Sequence, residues 1–350
     1  MSRRKLFSLG CAVTLAAALA AGCQRSVKAP TSAASTLDLG QGTYRVTGPY
    51  THKNVSVFLI HSDEQDGRDF MTLDEGLKEG VVRVTEKRQE EVGELLIDNR
   101  GDRPVFLQEG DRLSGGKQDR TIITSLVVPP KSGKMPLPAF CIEEGRWQAG
   151  MRGGSFSGTA NSALATKSVR LAAKVAKDQV AVWRSVQMEK RVVAGSLASV
   201  PNHTTSLNEA LDSPAAKKVS DDLAEALGGI LKGHRDAVGV AIVVNGEIEE
   251  ADIYPNHRLL GKLYPRLLES YALTALGRQP ERDGAQLVSA DDIARFMRSG
   301  GKKGAERTEQ INASNSVEIS DSAAKVRCST AYDGSVVHQQ VLSKKDAGGR

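Results

Sequence analysis

The spacing of apolar residues changes along the chain, and this change limits the fold to one class. Between residues 43 and 148, apolar residues alternate with polar ones or form short runs, such as the run that begins at Val55, and both patterns are typical of β-strands. Between residues 162 and 345, apolar residues first recur at helical spacing, from Val169 to Trp183, and later return to strand-like runs. The sequence therefore predicts an α+β fold with mostly antiparallel strands in the N-terminal part, helices in the middle and strand hairpins late.

Short local signals mark the ends of several elements. Three Ser or Thr residues stand where a helix N-cap is expected: Thr72, Ser206 and Ser213. Two dipeptides are typical of two-residue hairpin turns: Asn245-Gly246 and Asp333-Gly334. Pro265 lies inside a helical pattern, and because proline has no backbone N–H, it predicts an interruption of that helix.

Residues 1–22 have the three-part layout of a secretory signal peptide. Arg3, Arg4 and Lys5 precede an apolar run of mostly small residues that ends immediately before Cys23. The small residues before this cysteine resemble the cleavage site of lipoprotein signal peptidase. We therefore expect Cys23 to become the lipid-bearing first residue of a mature protein that is anchored in the bacterial cell envelope and faces away from the cytoplasm. The alternative is an ordinary signal peptide that ends near a cysteine.

The residues after Cys23 indicate which membrane the protein is sorted to and what kind of segment follows the anchor. Gln24, rather than Asp, follows the cysteine, which favours the outer membrane if the host has one. Residues 23–42 are rich in Ser, Ala, Thr, Lys and Pro, and this composition predicts a flexible tether. A Gly- and Ser-rich stretch then separates a strand-rich half, residues 43–148, from a helix and hairpin half, residues 162–345, and we expect the two halves to pack as one domain.

The overall charge gives no support to nucleic-acid binding. The chain has a formal net charge of +5, to which three basic residues of the signal peptide contribute, so the basic excess of the mature protein is small. No stretch interleaves aromatic residues with Lys and Arg, as nucleic-acid binding would require. The sequence therefore indicates no nucleic-acid partner.

The densest group of polar residues follows the strand predicted to end at Leu107. It combines carboxylates, cations and glycines on one loop: Glu109, Asp111, Gly115, Gly116, Lys117, Gln118, Asp119 and Arg120. The group is not a phosphate-binding P-loop, because Asp111 replaces the first glycine and Gln118 replaces the Ser or Thr that holds magnesium. The structural alternative is a charged, solvated hairpin.

A second polar group spans residues 141–147 and includes Glu143 and Arg146. Cys141 has no His near it in sequence, so a structural thiol is favoured over a nucleophile. A disulfide between Cys141 and Cys328 is left open. The six histidines are scattered without metal-ligand spacing, and the sequence therefore indicates no metal, while the cofactor stays unassigned.

Five segments form an ordered pattern along the chain: Asn99-Arg100-Gly101-Asp102-Arg103-Pro104-Val105, Gly115-Gly116-Lys117-Gln118-Asp119-Arg120, Cys141-Ile142-Glu143-Glu144-Gly145-Arg146-Trp147, Val240-Ala241-Ile242 with Asn245-Gly246, and Leu263-Tyr264-Pro265 with Tyr271-Ala272-Leu273. Together they resemble the ADP-ribosylglycohydrolase and rhodanese-phosphatase associated protein family over residues 55–277. The resemblance implies a link to NAD-derived or phosphorylated ligands and transfers no catalytic residues. Export would separate this chain from cellular NAD, so its ligand would differ or the domain would serve as a binding or scaffold module.

Two classes of function remain. The favoured one is an envelope module that binds a protein partner or an anionic, nucleotide- or ADP-ribose-like small molecule, with these candidate contacts: Lys117, Gln118, Arg120, Arg146 and the amides of Gly115 and Gly116. The alternative is a hydrolase of a phosphorylated or ADP-ribose-derived substrate, with acid-base or metal-binding roles for Glu109, Asp111 and Glu143. The first is preferred because no nucleophile and base pair is complete in the sequence.

Overall fold

The computed structural model of the protein describes residues 34–40, 42–87, 93–145, 156–158, 163–197, 206–276, 278, 287–298 and 305–345. The predicted signal peptide and Cys23 lie outside these residues. None of the described helices is long and apolar enough to cross a membrane.

The strands, in chain order, are β1 (Ser35–Asp38), β2 (Thr43–His52), β3 (Val55–His61), β4 (Met71–Thr72), β5 (Val82–Glu86), β6 (Glu94–Asn99), β7 (Val105–Leu107), β8 (Arg112–Gly115), β9 (Arg120–Ile122), β10 (Leu126–Val128), β11 (Gly133–Cys141), β12 (Phe156–Gly158), β13 (Ala237–Val244), β14 (Glu247–Ile253), β15 (Ala305–Gln310), β16 (Asn315–Asp321), β17 (Lys325–Tyr332) and β18 (Ser335–Ser343). The helices are α1 (Leu73–Lys78), α2 (Lys167–Leu171), α3 (Gln179–Ser196), α4 (Leu207–Leu211), α5 (Pro214–Leu227), α6 (His257–Ala275) and α7 (Ala290–Arg298). Helix α2 continues as a π-helical turn over Ala172–Ala176.

The two halves of the chain share one large antiparallel sheet. Its strand order is β1-β2-β3-β13-β14-β18-β17-β16-β15, and β3 pairs with β13 to join the early strands to the late ones. A six-stranded sheet (β12-β8-β9-β11-β6-β5) and a three-stranded sheet (β10-β7-β4) contain the other strands of the described residues. The α+β prediction is confirmed, with helices concentrated between the early and late strands.

The main core lies between the large sheet and helix α6. Leu260, Leu263 and Leu267 of α6 are buried in one cluster with Val240 and Ile242 of β13, as expected for an apolar helix stripe against a sheet. The helix is continuous through Pro265, so the predicted interruption is wrong. Packing on both sides of the exposed proline compensates for the missing hydrogen bond.

The local signals correspond to observed turns and caps. Thr72 and Glu75 form a reciprocal capping box, and Ser213 caps α5. Asn245 and Asp333 both have φ near 49°, which their two-residue hairpin turns require.

The structure differs from the sequence expectation in two places. Ser35–Asp38, assigned to the tether, forms β1 because Leu37 is buried and the segment pairs with β2. The long helix expected from Val169 to Trp183 is broken at Lys177, which adopts the left-handed conformation, and Asp178 then caps α3.

Candidate functional site

Two carboxylates of the polar segment after β7 point into the interior. Glu109 and Asp111 are each 1% exposed. Gly110 between them has φ of 86°, and a Cβ atom there would lie 2.6 Å from Cδ of Arg170. The glycine therefore allows the Arg170 side chain to pass close to the backbone that joins the two carboxylates.

Each of these carboxylates meets a buried cation. Glu109 forms an ion pair with Lys174, whose Nζ also lies 3.0 Å from Sγ of Cys328 and 3.2 Å from Oε1 of Gln340. Asp111 lies 2.8 Å from Arg266 of helix α6. Burial of such groups is tolerated only when they are paired, so these contacts fix the side chains in place.

Strand β14 contributes a second pair of buried carboxylates. Glu250 forms an ion pair with Arg170. Asp252 accepts hydrogen bonds of 2.9 Å from Nε2 of His338 and 2.9 Å from Nε2 of Gln340. Glu250 and Asp252 are two positions apart and therefore lie on the same face of the strand.

We call this group the buried polar cluster. Its members are Gln108, Glu109, Asp111, Arg170, Lys174, Glu250, Asp252, Tyr254, Arg266, Ser270, Tyr271, His338 and Gln340. Arg170 and Lys174 come from α2 and its π-helical turn, an irregularity that is frequent at functional sites.

Burial changes the proton affinity of the cluster. It raises the pKa of Asp111 to about 6, although Arg266 acts in the opposite direction. Burial also raises the pKa of Glu250 against the lowering effect of Arg170. The pKa of Tyr254 is raised well above its usual value, by burial first and then by Asp252 and Glu250. The cluster therefore contains carboxyl groups that can take up or release a proton near neutral pH.

Several polar atoms of the cluster have no hydrogen-bond partner among the described residues. They are Oε1 and Nε2 of Gln108, Oε1 of Glu109, Nη1 of Arg170, Oγ of Ser270 and the hydroxyls of Tyr254 and Tyr271. Buried polar groups are normally hydrogen-bonded, so such a concentration in one place is unusual for a purely structural core.

Two cavities border the cluster. One, of about 450 Å³, has Tyr254 and His338 in its wall, and the rings of these two residues stack 5.0 Å apart. The other, of about 220 Å³, has Lys174 in its wall together with mostly apolar residues. Side chains of the cluster therefore border open space on two sides.

The glycine-containing part of the predicted loop has different surroundings. Gly115 ends β8, and a Cβ atom at Gly116 would lie 2.2 Å from Cζ of Phe156. The backbone N–H of Gly115 donates to Asp119, and that of Lys117 donates to Glu86 at 3.1 Å. The amides of this turn thus point at carboxylates of the protein itself.

The two polar segments of the sequence do meet. Arg120 is buried, lies 2.7 Å from Sγ of Cys141 and donates to the backbone oxygen of Gln118. The N–H of Asp119 donates to Glu143 at 3.1 Å. Cys141 and Cys328 are separate thiols. Arg146 lies outside the described residues.

Sequence reasoning selected Glu109 and Asp111 but missed their partners. Arg170, Lys174, Glu250 and Asp252 are charged residues within segments whose other residues are largely buried. The available signal was the acidic character of β14, where Glu249, Glu250 and Asp252 accompany apolar neighbours. A charge inside an apolar pattern indicates either a paired core residue or a functional one.

Comparison with known proteins identifies a family. The model of the ARG and Rhodanese-Phosphatase-superfamily-associated Protein domain matches residues 43–342, which includes the large sheet from β2 to β18 and the whole buried polar cluster. Neither the curated proteins nor the solved structures contain a significant match to the chain.

Proposed function

Because the chain belongs to the ARG and Rhodanese-Phosphatase-superfamily-associated Protein family, we propose that its domain binds a nucleotide- or ADP-ribose-like ligand at the buried polar cluster. The family name records an association with ADP-ribosylglycohydrolase and the rhodanese-phosphatase superfamily. The observation that carries the proposal is the set of buried polar atoms of the cluster that have no hydrogen-bond partner among the described residues. One of the residues that carry them, Tyr254, lies in the wall of the 450 Å³ cavity.

The energetic argument rests on these atoms. Each buried donor or acceptor that lacks a partner costs roughly 1–3 kcal/mol, and a ligand that supplies the partner recovers that free energy. Arg170 Nη1 and Gln108 Nε2 can only donate, and the hydroxyls of Tyr254 and Tyr271 can donate as well. A ligand rich in oxygen, such as a ribose phosphate, complements this set.

The charges of the cluster are compatible with an anion. Its three cations, Arg170, Lys174 and Arg266, face four carboxylates. Burial raises the pKa of Asp111 and of Glu250, so protonation of both would leave an excess of positive charge. An anionic group could therefore be accommodated together with proton uptake.

Matched tyrosines of one helix test the proposal. The hydroxyl of Tyr271 has no partner, whereas that of Tyr264, on the same helix, donates to the backbone oxygen of Leu227 at 3.1 Å. Tyr271→Phe should leave the protein equally or more stable and weaken ligand binding by about 1 kcal/mol or more, since a hydrogen bond to ligand is lost. Tyr264→Phe should lower stability by about 1 kcal/mol and leave binding unchanged.

The measurement is calorimetry of the chain with ADP-ribose, nucleotides and sugar phosphates, next to urea unfolding of both variants. Equal affinities of Tyr271→Phe and wild type for every compound that binds would argue against the cluster as the site. Absence of binding by all compounds would leave a protein-binding role as the better account.

The turn at residues 115–120 is the second location for the same ligand. Lys117 is half-buried and is the cation of this turn that reaches solvent. If the anionic group of the ligand lies outside the cluster, Lys117 is the residue expected to bind it. The sequence predicts that Arg146 would bind the same group.

Hydrolysis is the second candidate function, and the raised pKa of Asp111 favours it. A general acid or base works best when its pKa is close to the working pH, and burial raises the pKa of Asp111 to about 6. Glu109 has one carboxylate oxygen without a hydrogen-bond partner. Release of product that is lost in Glu109→Gln while binding persists would identify an enzyme, and Glu143→Gln serves as the comparison outside the cluster.

We further propose that Cys23 anchors the domain to the envelope membrane, as the signal layout and the small residues before the cysteine indicate. Cys23→Ser should accumulate as unprocessed precursor and lose labelling by a fatty-acid analogue. Normal processing and labelling of this variant would contradict the proposal. Cys11→Ser, within the signal peptide, is the control and should be processed and labelled normally.

A further inference from the structure

Two histidines and an aspartate from distant parts of the chain converge at the end of β3. His61 is the last residue of that strand, and His234 and Asp236 lie in the segment between α5 and β13. One potential ligand atom from each residue lies within 4.8 Å of those of the other two. Among the described residues, these three form the group of His, Cys, Asp or Glu side chains whose potential ligand atoms lie close enough together to hold a metal ion.

The backbone holds these three residues in place. The N–H of Ser62 donates to the backbone oxygen of Asp236 at 2.8 Å, and the N–H of Ala237 donates to that of His234 at 2.9 Å. Ala237 is also paired with His61 in the β3–β13 ladder. The positions of the side chains therefore depend on sheet pairing rather than on a loose loop.

A buried nitrogen of His61 is the second observation. His61 is 2% exposed, and its Nδ1 lies 3.0 Å from Oδ1 of Asp236. Among the described residues, Nδ1 has no hydrogen-bond partner other than this carboxylate. When Nδ1 carries no proton, its lone pair and an oxygen of Asp236 both face the same space, and a cation bound beside the two atoms would be held by both.

Neighbouring hydroxyls orient both rings. Nε2 of His61 lies 2.7 Å from Oγ1 of Thr47, and Nε2 of His234 lies 3.2 Å from the hydroxyl of Tyr50. If each hydroxyl accepts the Nε2 proton, Nδ1 is left unprotonated in both rings and can bind a metal. Hydrogen-bonded partners of this kind are characteristic of metal-binding histidines.

Arg45 fixes the side chain of Asp236. Its Nη2 lies 2.6 Å from Oδ2 of Asp236, which leaves Oδ1 directed toward His61. The Asp236 side chain is 34% exposed, so the group is open to solvent on one side.

We propose that His61, His234 and Asp236 form a binding site for one divalent transition-metal ion. Two imidazoles and one carboxylate are a donor set that zinc and neighbouring transition metals accept, and that magnesium and calcium do not prefer. Three protein ligands leave a coordination position for water on the exposed side, as in catalytic rather than structural zinc sites. The site is separate from the buried polar cluster, and its existence does not depend on the ligand proposed there.

The test uses the full chain, purified in detergent, stripped of metal with a chelator and titrated with Zn²⁺ in a calorimeter. We expect one ion per chain. His234→Ala and Asp236→Asn should each weaken binding by more than about tenfold, because loss of even a supporting hydrogen bond behind a ligand costs 10–100-fold. Thr47→Val, which keeps the side-chain shape, should weaken it by about tenfold for the same reason.

A surface pair provides the matched control. His52 lies 2.8 Å from Asp222 with Lys53 beside it, so this pair has a His and an Asp but no second histidine. His52→Ala should bind Zn²⁺ as the wild type does. Cobalt replaces zinc as a spectroscopic probe, and its spectrum should indicate nitrogen and oxygen ligands without thiolate.

Three results would overturn the proposal. The first is failure of the wild type to bind Zn²⁺, Co²⁺ or Mn²⁺ at one ion per chain. The second is binding that persists unchanged in both His234→Ala and Asp236→Asn, provided that urea unfolding shows these variants folded. The third is a thiolate spectrum with cobalt. Thr47, His61 and Asp236 would then be a hydrogen-bonded relay without a metal.

Discussion

Residues 108–111 and residues 114–120 belong to one continuous polar segment, yet their side chains have different surroundings. Glu109 lies in the buried polar cluster, where one of its oxygens has no hydrogen-bond partner. Asp119, ten residues later, accepts hydrogen bonds from Ser114, Gly115 and Ser206. The first part combines buried charge with several unsatisfied groups. In the second part the Asp119 carboxylate accepts hydrogen bonds from its own turn, although Oε1 of Gln118 there has no hydrogen-bond partner among the described residues.

The satisfaction of hydrogen bonds distinguishes the two parts of the segment better than burial does. Asp111 and Asp119 are both almost fully buried. Burial raises the pKa of Asp111, so the folded protein disfavours its charged form, whereas the carboxylate of Asp119 accepts three hydrogen bonds. We expect the two aspartates to affect stability in opposite directions, and three predictions test this comparison.

The largest effect is expected for Asp119→Ala. The substitution leaves the N–H of Gly115 and the hydroxyls of Ser114 and Ser206 without their acceptor, and breaking buried bonds to a charged group should lower the free energy of unfolding by about 3 kcal/mol. Urea unfolding measures the change. Asp102→Ala, at a side chain that is 87% exposed, should change stability by less than about 0.5 kcal/mol. An equally small change in Asp119→Ala would refute a structural role for the turn.

The second prediction concerns pH and Asp111. Its folded pKa of about 6 lies above the ordinary value of 3.8 for an aspartate, so the folded state holds this proton more tightly and stability falls as pH rises from 3.8 to 6. Asp111→Asn mimics the protonated form, and it should raise the free energy of unfolding at pH 8 by up to about 3 kcal/mol and change it little at pH 4. Urea unfolding of the wild type and Asp111→Asn at pH 4 and pH 8 measures these changes. If Asp111→Asn is less stable than the wild type at pH 8, the ion pair with Arg266 outweighs the effect of burial.

The smallest effect is expected for Lys117→Ala. Because the side chain is half-buried at a turn whose amides bind carboxylates, stability and ligand affinity should both change by less than about 0.5 kcal/mol. Calorimetry with whichever compound binds the wild type measures the affinity. A loss of roughly 1.5–3 kcal/mol, the range for hydrogen bonds to a charged group, would move the ligand from the cluster to this turn.

The sequence was sufficient to predict the succession of early strands, middle helices and late strand hairpins, the capping box at Thr72, the hairpin turns at Asn245 and Asp333, and the family resemblance. These features depend on residues close together in the chain, where spacing and side-chain chemistry fix the conformation. The same reasoning failed at Pro265, because the helix there is maintained by its packing against the large sheet.

The tertiary structure alone decided which charged residues meet. Glu109 and Lys174 are brought together by packing of the π-helical turn, and His61 and Asp236 by pairing of β3 with β13. Such contacts join residues that are tens to hundreds of positions apart, and no local pattern encodes them. Burial then sets their proton affinities and leaves some of their polar atoms without partners, and both properties exist only once the chain has folded.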